Sequence, residues 1–297
     1  MLTGETRRRQ RGGMDRDDER ALLRRIYAKQ VTAAAGVADR RVAAAFAAVP
    51  REKFVGRGPW QVVRWGRGYM PTPSADLAYL YDDVVVAILP ERNLNNGQPS
   101  LHAAMTAAAA PRAGEHAVHI GIGTGYYTAI LADLVGQRGR VTAIEYDDGL
   151  AARAARNLSG LGNVAVVQGD GNSAEFDLAD VIYVNAGATR PADPWLDRLA
   201  EGGRLILPLT DAGFPHGDVS RGAVFRIERQ GGEFHARRIS AVAIFPCEGG
   251  RDPASQQALS AAFAKGGAER VTRLYRRGDL PEEQCWLRAP GWCLAYV

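Results

Sequence analysis

Three glycines at alternate positions, Gly121, Gly123 and Gly125, form the densest chemical signal in this 297-residue chain. An apolar run, Ala117–Ile120, precedes them and a helix-like stretch, Tyr126–Val135, follows, so a strand turns directly into a helix. Glycine allows the tight turn and lets a ligand approach bare backbone. A second apolar run, Val141–Ile144, ends in Glu145, 20 residues after Gly125. A carboxylate at that tip can accept both hydroxyls of an adenosine ribose. A third run, Val164–Val167, leads into Gly169-Asp170-Gly171, where an acidic side chain can meet the exocyclic amine of adenine. The G-x-G-x-G spacing differs from the G-x-G-x-x-G of dinucleotide sites. It suits the smaller S-adenosylmethionine, whose amino-acid moiety lies along the loop. A structural turn and a nicotinamide site are the alternatives.

The elements that must position these residues follow from periodicity. Further strand-like runs are Val181–Val184 and Leu205–Leu207, and Asp147–Ser159 and Pro194–Leu199 read as helices. Strands alternating with helices predict a parallel sheet covered on both faces. Gly222–Glu228 and Glu233–Ala243, joined by Gln230-Gly231-Gly232, predict an antiparallel pair at one sheet edge. Upstream, Leu22, Leu23, Ile26 and Tyr27 fall at helical spacing within Glu19–Lys29. Asp39 can cap a second helix carrying Val42, Ala45, Phe46 and Val49, which Pro50 ends. Arg51–Pro99 reads as irregular apart from one strand-like run, Asp83–Leu89, and Ser100–Ala110 as an Ala-rich helix. Downstream the pattern predicts a helix, Pro253–Ala264, and a hairpin, Gln284–Arg288 with Trp292–Val297. The chain divides into a disordered basic tail (1–18), an N-terminal helical and substrate-loop region (19–110), a cofactor-binding core (111–249) and a C-terminal α+β extension (250–297).

Composition narrows the function. The net charge of +4 is concentrated in residues 1–25, which carry eight Arg against five acids, so the remainder is nearly neutral. That argues against nucleic acid as a partner despite a pI near 9.1. Lys occurs only at Lys29, Lys53 and Lys265. Cys247, Cys285 and Cys293 form no C-x-x-C pair, against zinc or a disulfide scaffold, and reduced thiols are expected. No apolar run approaches the ~20 residues of a membrane span, and no signal peptide is recognisable, so a cytoplasmic location is expected.

In combination, several strings resemble the protein-L-isoaspartate O-methyltransferase family over roughly residues 38–250. They are Val49-Pro50-Arg51-Glu52-Lys53-Phe54-Val55, the glycine turn with Tyr126–Ala132, and Gly169-Asp170-Gly171. Glu201–Pro208 and Gly231-Gly232-Glu233-Phe234 complete the match. The resemblance implies an α/β fold, a doubly wound, Rossmann-like class I methyltransferase sheet with an antiparallel edge strand. It implies S-adenosylmethionine contacts at Gly121, Gly123, Gly125, Tyr126, Glu145, Asp170 and Gly171. The sequence departs at His119, where the family has Glu or Asp; there a histidine would hold the cofactor's amino group through water or simply pack at the strand end.

A second departure concerns the substrate. The family's loop reads T-I-S-x-P, and its serine helps hold the substrate carboxylate. Here Asn95-Asn96-Gly97-Gln98-Pro99 aligns, with Gly97 at the serine position. Asn95, Asn96, Ser100 and backbone N–H groups are the candidate replacements, with Ser100, Asn96 and Gly97 taken as the catalytic set. The plain alternative is turn chemistry for Asn-Asn-Gly and helix capping for Ser100. The function implied is esterification of an aspartate or isoaspartate carboxylate in a peptide or protein, the ester then closing to a succinimide. The missing serine and the extension lean towards tailoring of a ribosomally made peptide. General isoaspartate repair is the alternative, and a non-catalytic cofactor-binding adaptor the second. Residues 55–81 and 250–297 would be natural peptide-binding additions, or packing. An exocyclic-amine methylase would want an N-P-P-Y-type tetrad where Asn185-Ala186-Gly187-Ala188 stands.

Overall fold

A computed structural model describes residues 15–64, 66–211, 220–277 and 280–297, apart from the side chains of Ser220 and Arg221. Trp65 and most of the expected tail lie outside the described residues. The exception is residues 15–18, where Asp15 stands at the N-cap position and Arg16–Asp18 begin the first helix, α1 (Arg16–Ala34), rather than extending the tail. Asp17, Asp18 and Glu19 fill its first turn, where acidic side chains complement the helix N-terminus. Asp39 caps α2 (Arg40–Ala48) by accepting the Arg41 N–H, and a short α3 (Glu52–Val55) follows.

The Gly- and Pro-rich stretch is more ordered than its composition suggests. It forms two small antiparallel sheets, β1 (Gln61–Arg64) with β2 (Gly68–Pro71), and β3 (Ala87–Leu89) with β4 (Leu94–Asn95). Val55, Trp60, Val62, Leu80, Val84 and Val86 bury one another beneath them, which is what holds such short strands together. Helix α4 (Pro99–Ala109) then leads into the core.

The core alternates β5 (His116–Ile120), α5 (Tyr126–Val135), β6 (Arg140–Glu145), α6 (Asp148–Leu158), β7 (Val164–Gln168), β8 (Ala179–Val184) and α7 (Asp193–Asp197). After it come β9 (Leu199–Thr210), β10 (Ser220–Gln230), β11 (Glu233–Ile244), α8 (Pro253–Lys265), β12 (Arg273–Tyr275), β13 (Cys285–Ala289) and β14 (Trp292–Ala295). All the strands from β5 onward lie in one ten-stranded sheet, in the order β13-β14-β12-β11-β10-β9-β8-β5-β6-β7. The five from β7 to β9 are parallel and the rest antiparallel.

The β10–β11 hairpin, expected at a sheet edge, is therefore interior. Phe234 and His235 of β11 pair with β12, and β14 and β13 continue the sheet outward. The large residues of the extension are packed rather than presented. Trp286, Trp292, Leu274 and Leu294 share a core with Leu205, Phe225 and Ile227, closed by Leu259 and Ala262 of α8. On another face, Tyr27, Val31 and Phe46 of α1 and α2 cover Tyr126, Tyr127 and Ile130 of α5. Both layers leave the C-terminal tips of the parallel strands facing one cavity.

Candidate active site

The β5–α5 turn carries Gly121 and Gly123 to the wall of a cavity of about 730 Å³. Gly125 serves the turn differently. It caps α5 at φ +92°, and a Cβ there would lie 2.7 Å from Leu158 Cδ1, so it sits against α6 and not at the cavity wall. Glu145, at the tip of β6, lines the cavity and is 7% exposed. Its carboxylate accepts the N–H of Gly123 (2.7 Å) and of Asp147 (3.1 Å), tying the turn to the neighbouring strand tip. Burial raises its pKa against the pull of those N–H groups. Gly171 and Tyr126 also line the cavity. Asp170 stands behind that wall, where its Oδ1 accepts two bonds from Asn172.

His119 does not reach the cavity. It is fully buried, with Nδ1 2.9 Å from Thr128 Oγ1 and its ring edge-on to Tyr183. Its Nε2 has no hydrogen-bond partner. Desolvation lowers its pKa to about 3, so the imidazole is neutral.

The substrate loop splits its predicted residues. Asn95, Asn96 and Gly97 line the cavity, whereas Ser100 does not. Both the Ser100 N–H and its hydroxyl bond Asp83, at 2.8 and 2.6 Å, so Ser100 anchors the first turn of α4. Asn95 makes the turn, accepting the Gly97 N–H at 2.8 Å and donating to the Tyr69 hydroxyl. Asn96 Oδ1 accepts from Arg51 Nη2 (3.3 Å) and the Val86 N–H (3.2 Å), while its Nδ2 is buried without a partner. Gly97 has φ +75°, and a Cβ there would meet His102 Nε2 at 2.3 Å.

His102, Arg51, Arg92 and Asn185 were not singled out from the sequence. His102 lies on an Ala-rich helix, five residues beyond Gly97, and lines the cavity. It stacks flat on Tyr127, with centroids 3.5 Å apart, and its Nδ1 is 2.9 Å from the Tyr183 hydroxyl. Burial, with smaller contributions from His119 and Arg51, lowers its pKa well below the usual histidine value. Arg51, within the V-P-R-E string, is fully buried and donates to the carbonyls of Leu80, Asp82 and Val84. Arg92 pairs with Asp147. Asn185 Nδ2 donates to the Gly121 carbonyl at 3.1 Å. The three cysteines are buried and form no disulfide with one another, and burial pushes the Cys247 thiol up to about 11. Among the described residues no cluster of three or more His, Cys, Asp or Glu could hold a metal, and no helix is long and apolar enough to cross a membrane.

A parallel β5–β9 sheet with a glycine turn after its first strand, an acidic tip on the second and an antiparallel continuation defines a class I methyltransferase fold. The chain belongs to the protein-L-isoaspartate(D-aspartate) O-methyltransferase family, whose sequence model matches residues 28–250. It is 35% identical over 180 residues to a protein-L-isoaspartate O-methyltransferase of Thermotoga maritima, covering 59% of this chain and 51% of that one. The match thus spans about half of that relative's length. A Methanoregula boonei protein of the same name is 32% identical over 241 residues, covering 79% and 94% of the two chains. A solved protein-L-isoaspartate O-methyltransferase superposes with a TM-score of 0.62 at 25% identity, over 86% of this chain and 74% of that one. A second, from Plasmodium falciparum in complex with S-adenosyl-L-homocysteine, gives 0.57 at 18% identity over 75% and 97%, and attests the fold alone.

Proposed function

We propose that the chain is an S-adenosylmethionine-dependent carboxyl O-methyltransferase acting on isoaspartate in proteins. When bound, the cofactor supplies an electrophilic methyl group on a sulfonium. The observation that carries this reading is a single cavity bounded by two kinds of residue. Gly121, Gly123 and Glu145 form one set, suited to the backbone and ribose of an adenosyl ligand. Asn95, Asn96, Gly97 and His102 form the other, suited to an anion held by neutral donors.

Little else is asked of the protein. The free carboxyl of an isoaspartyl residue is an α-carboxyl, with a reference pKa of about 3.5, so at neutral pH it is already a nucleophile and no general base is required. The chain's contribution is to hold the carboxylate oxygen in near-attack geometry and to surround it with apolar wall. Val63, Val85, Ile88, Leu94 and Leu101 supply that wall. The methyl ester is then open to attack by the next backbone nitrogen, releasing methanol and leaving a succinimide.

The lean of the sequence towards peptide tailoring is not carried by the relatives, which are named for isoaspartate. The packed extension also removes one of its supports. Incubating the full chain with S-adenosylmethionine and matched peptides bearing isoaspartate or aspartate at one position tests the reading, with methyl gain and succinimide formation followed by mass spectrometry. Turnover of the isoaspartyl peptide is expected. Turnover confined to the aspartyl peptide would instead support tailoring, and cofactor binding with no turnover on either would support an adaptor.

A further inference from the structure

We propose that Asn96 Nδ2 and His102 Nε2 are the groups that hold the substrate carboxylate, and that Arg51 and Tyr183 are the residues that position them. This rests on the carboxyl-methylating reading above and specifies how the same cavity takes its anion.

Asn96 is 6% exposed, yet its amide nitrogen has no partner. Its oxygen is held by two donors, Arg51 Nη2 and the Val86 N–H, so turning the amide over would forfeit both bonds and set an N–H₂ group against a guanidinium. Arg51 is itself immobilised by the carbonyls of Leu80, Asp82 and Val84. Buried donors are almost always paired, and an unpartnered one on a residue of the cavity wall marks where an acceptor is missing. The acceptor that this reaction brings is a carboxylate.

His102 supplies the second donor. Its Nε2 occupies the space that a Cβ on residue 97 would claim, so the imidazole in this position requires a glycine at 97. The ring cannot swing away, being stacked on Tyr127 and bonded through Nδ1 to Tyr183. Burial keeps the Tyr183 phenol protonated, so its hydroxyl, 2.9 Å from Nδ1, has a hydrogen to donate there. The single proton of a neutral His102 then resides on Nε2. A neutral donor suits the task, because it binds the anion without protonating it and adds no positive charge beside a sulfonium. Among the described lining residues the one guanidinium, Arg92, is engaged by Asp147.

Two isosteric changes test the site. Asn96→Asp keeps an oxygen on Arg51 and replaces the unpartnered nitrogen with a second oxygen, removing the donor and adding a charge that repels a carboxylate. His102→Phe keeps the stacked ring and removes the donor, and His102→Gln returns an N–H. The readouts are calorimetric binding of an isoaspartyl peptide and of its carboxamide analogue to the full chain saturated with S-adenosylhomocysteine, and kcat and KM with S-adenosylmethionine. Asn96→Asp is expected to weaken isoaspartyl-peptide binding more than about 100-fold and His102→Phe about 10–100-fold, as for loss of a hydrogen bond to a charged group. In both, S-adenosylhomocysteine affinity should stay within about twofold, and His102→Gln should regain about tenfold of the loss. Carboxamide binding, already weak, should not change. Unaltered isoaspartyl-peptide binding in both variants, or a parallel fall in S-adenosylhomocysteine affinity, would overturn the assignment. A wild-type chain that binds S-adenosylhomocysteine but neither peptide would overturn the methyltransferase reading itself, and this site with it.

Discussion

The Glu145 carboxylate both braces the glycine turn, through the Gly123 and Asp147 N–H groups, and borders the cavity. Removing it takes away the turn's brace and the proposed ribose acceptor together. Glu145→Ala is expected to lower S-adenosylhomocysteine affinity at least ~100-fold by calorimetry, the scale of two hydrogen bonds to a charged group; unchanged affinity would refute that placement. His119 gives a prediction of another kind. Its folded-state pKa, about 3, lies below the unfolded value of 6.5. Its contribution to stability is therefore complete above pH 6.5 and is lost as the pH falls from 6.5 towards 3. Denaturant titrations should show the loss at up to about 1.4 kcal/mol per pH unit for this one group. His119→Gln, which retains a partner for Thr128, should remove that share of the slope; His102, lowered in the same direction, supplies a separate share that remains. An identical slope in the variant would contradict a buried neutral imidazole. Glu145 was legible in the sequence because strand tip and glycine spacing fix each other. The seclusion of His119 was not, since whether a strand-end side chain faces a cavity or a helix depends on the packing of α5.

Among the elements, α4 decides the geometry of the cavity wall that carries Asn96, Gly97 and His102. Asp83 holds its first turn through Ser100 and Gln98. At its other end the Arg204 guanidinium bonds the Ala109 and Ala110 carbonyls while pairing with Glu115, satisfying the last groups of the helix. Ser100, a catalytic candidate from sequence, thus acts as an anchor. Ser100→Ala is expected to cost about 1 kcal/mol of stability, as for a lost cap, with the KM for an isoaspartyl peptide within about threefold of wild type. A loss of kcat without loss of stability would return Ser100 to the catalytic set. The helices and parallel strands were legible because each is a long apolar run or a 3.6-residue stripe. Tyr126–Val135 has the boundaries its sequence predicts, and α4 differs by one residue at each end. Of the small β1–β2 and β3–β4 sheets only β3 was legible, as the end of the strand-like run Asp83–Leu89; the other two- to four-residue strands, among Gly and Pro, carry too little periodicity, and what fixes them is burial of Trp60, Leu80 and Val86. His102 was missed for a related reason. A histidine on an Ala-rich helix announces nothing until Gly97, 2.3 Å from it as a virtual Cβ, shows what its ring replaces.

At the scale of the whole molecule, the family match ends at residue 250 but the sheet and its core do not. Sequence alone marked 250–297 as a separate small extension, since a helix followed by a hairpin looks self-contained. The main chain of β12 nevertheless bonds to β11, and Trp286 packs against Phe225 of β10 with ring centroids 5.5 Å apart. Trp195, Leu205 and Ile227 of the family-matched part belong to the same apolar cluster as Leu274, Trp292 and Leu294. Removing residues 251–297 would therefore expose one face of β9–β11 and open the β11 edge, a template for non-native strand pairing. Because Gly249 and Cys247 pack against Asp170 and Asn172, the cut would also loosen the wall beside Gly171. Truncation after residue 250 is expected to give a chain that aggregates or unfolds without cooperativity in calorimetry, and that loses S-adenosylhomocysteine binding although every predicted cofactor contact is retained. A truncated chain that melts in one sharp transition and binds with wild-type affinity would mean that residues 28–250 fold alone, and that the last three strands were added to a core already complete.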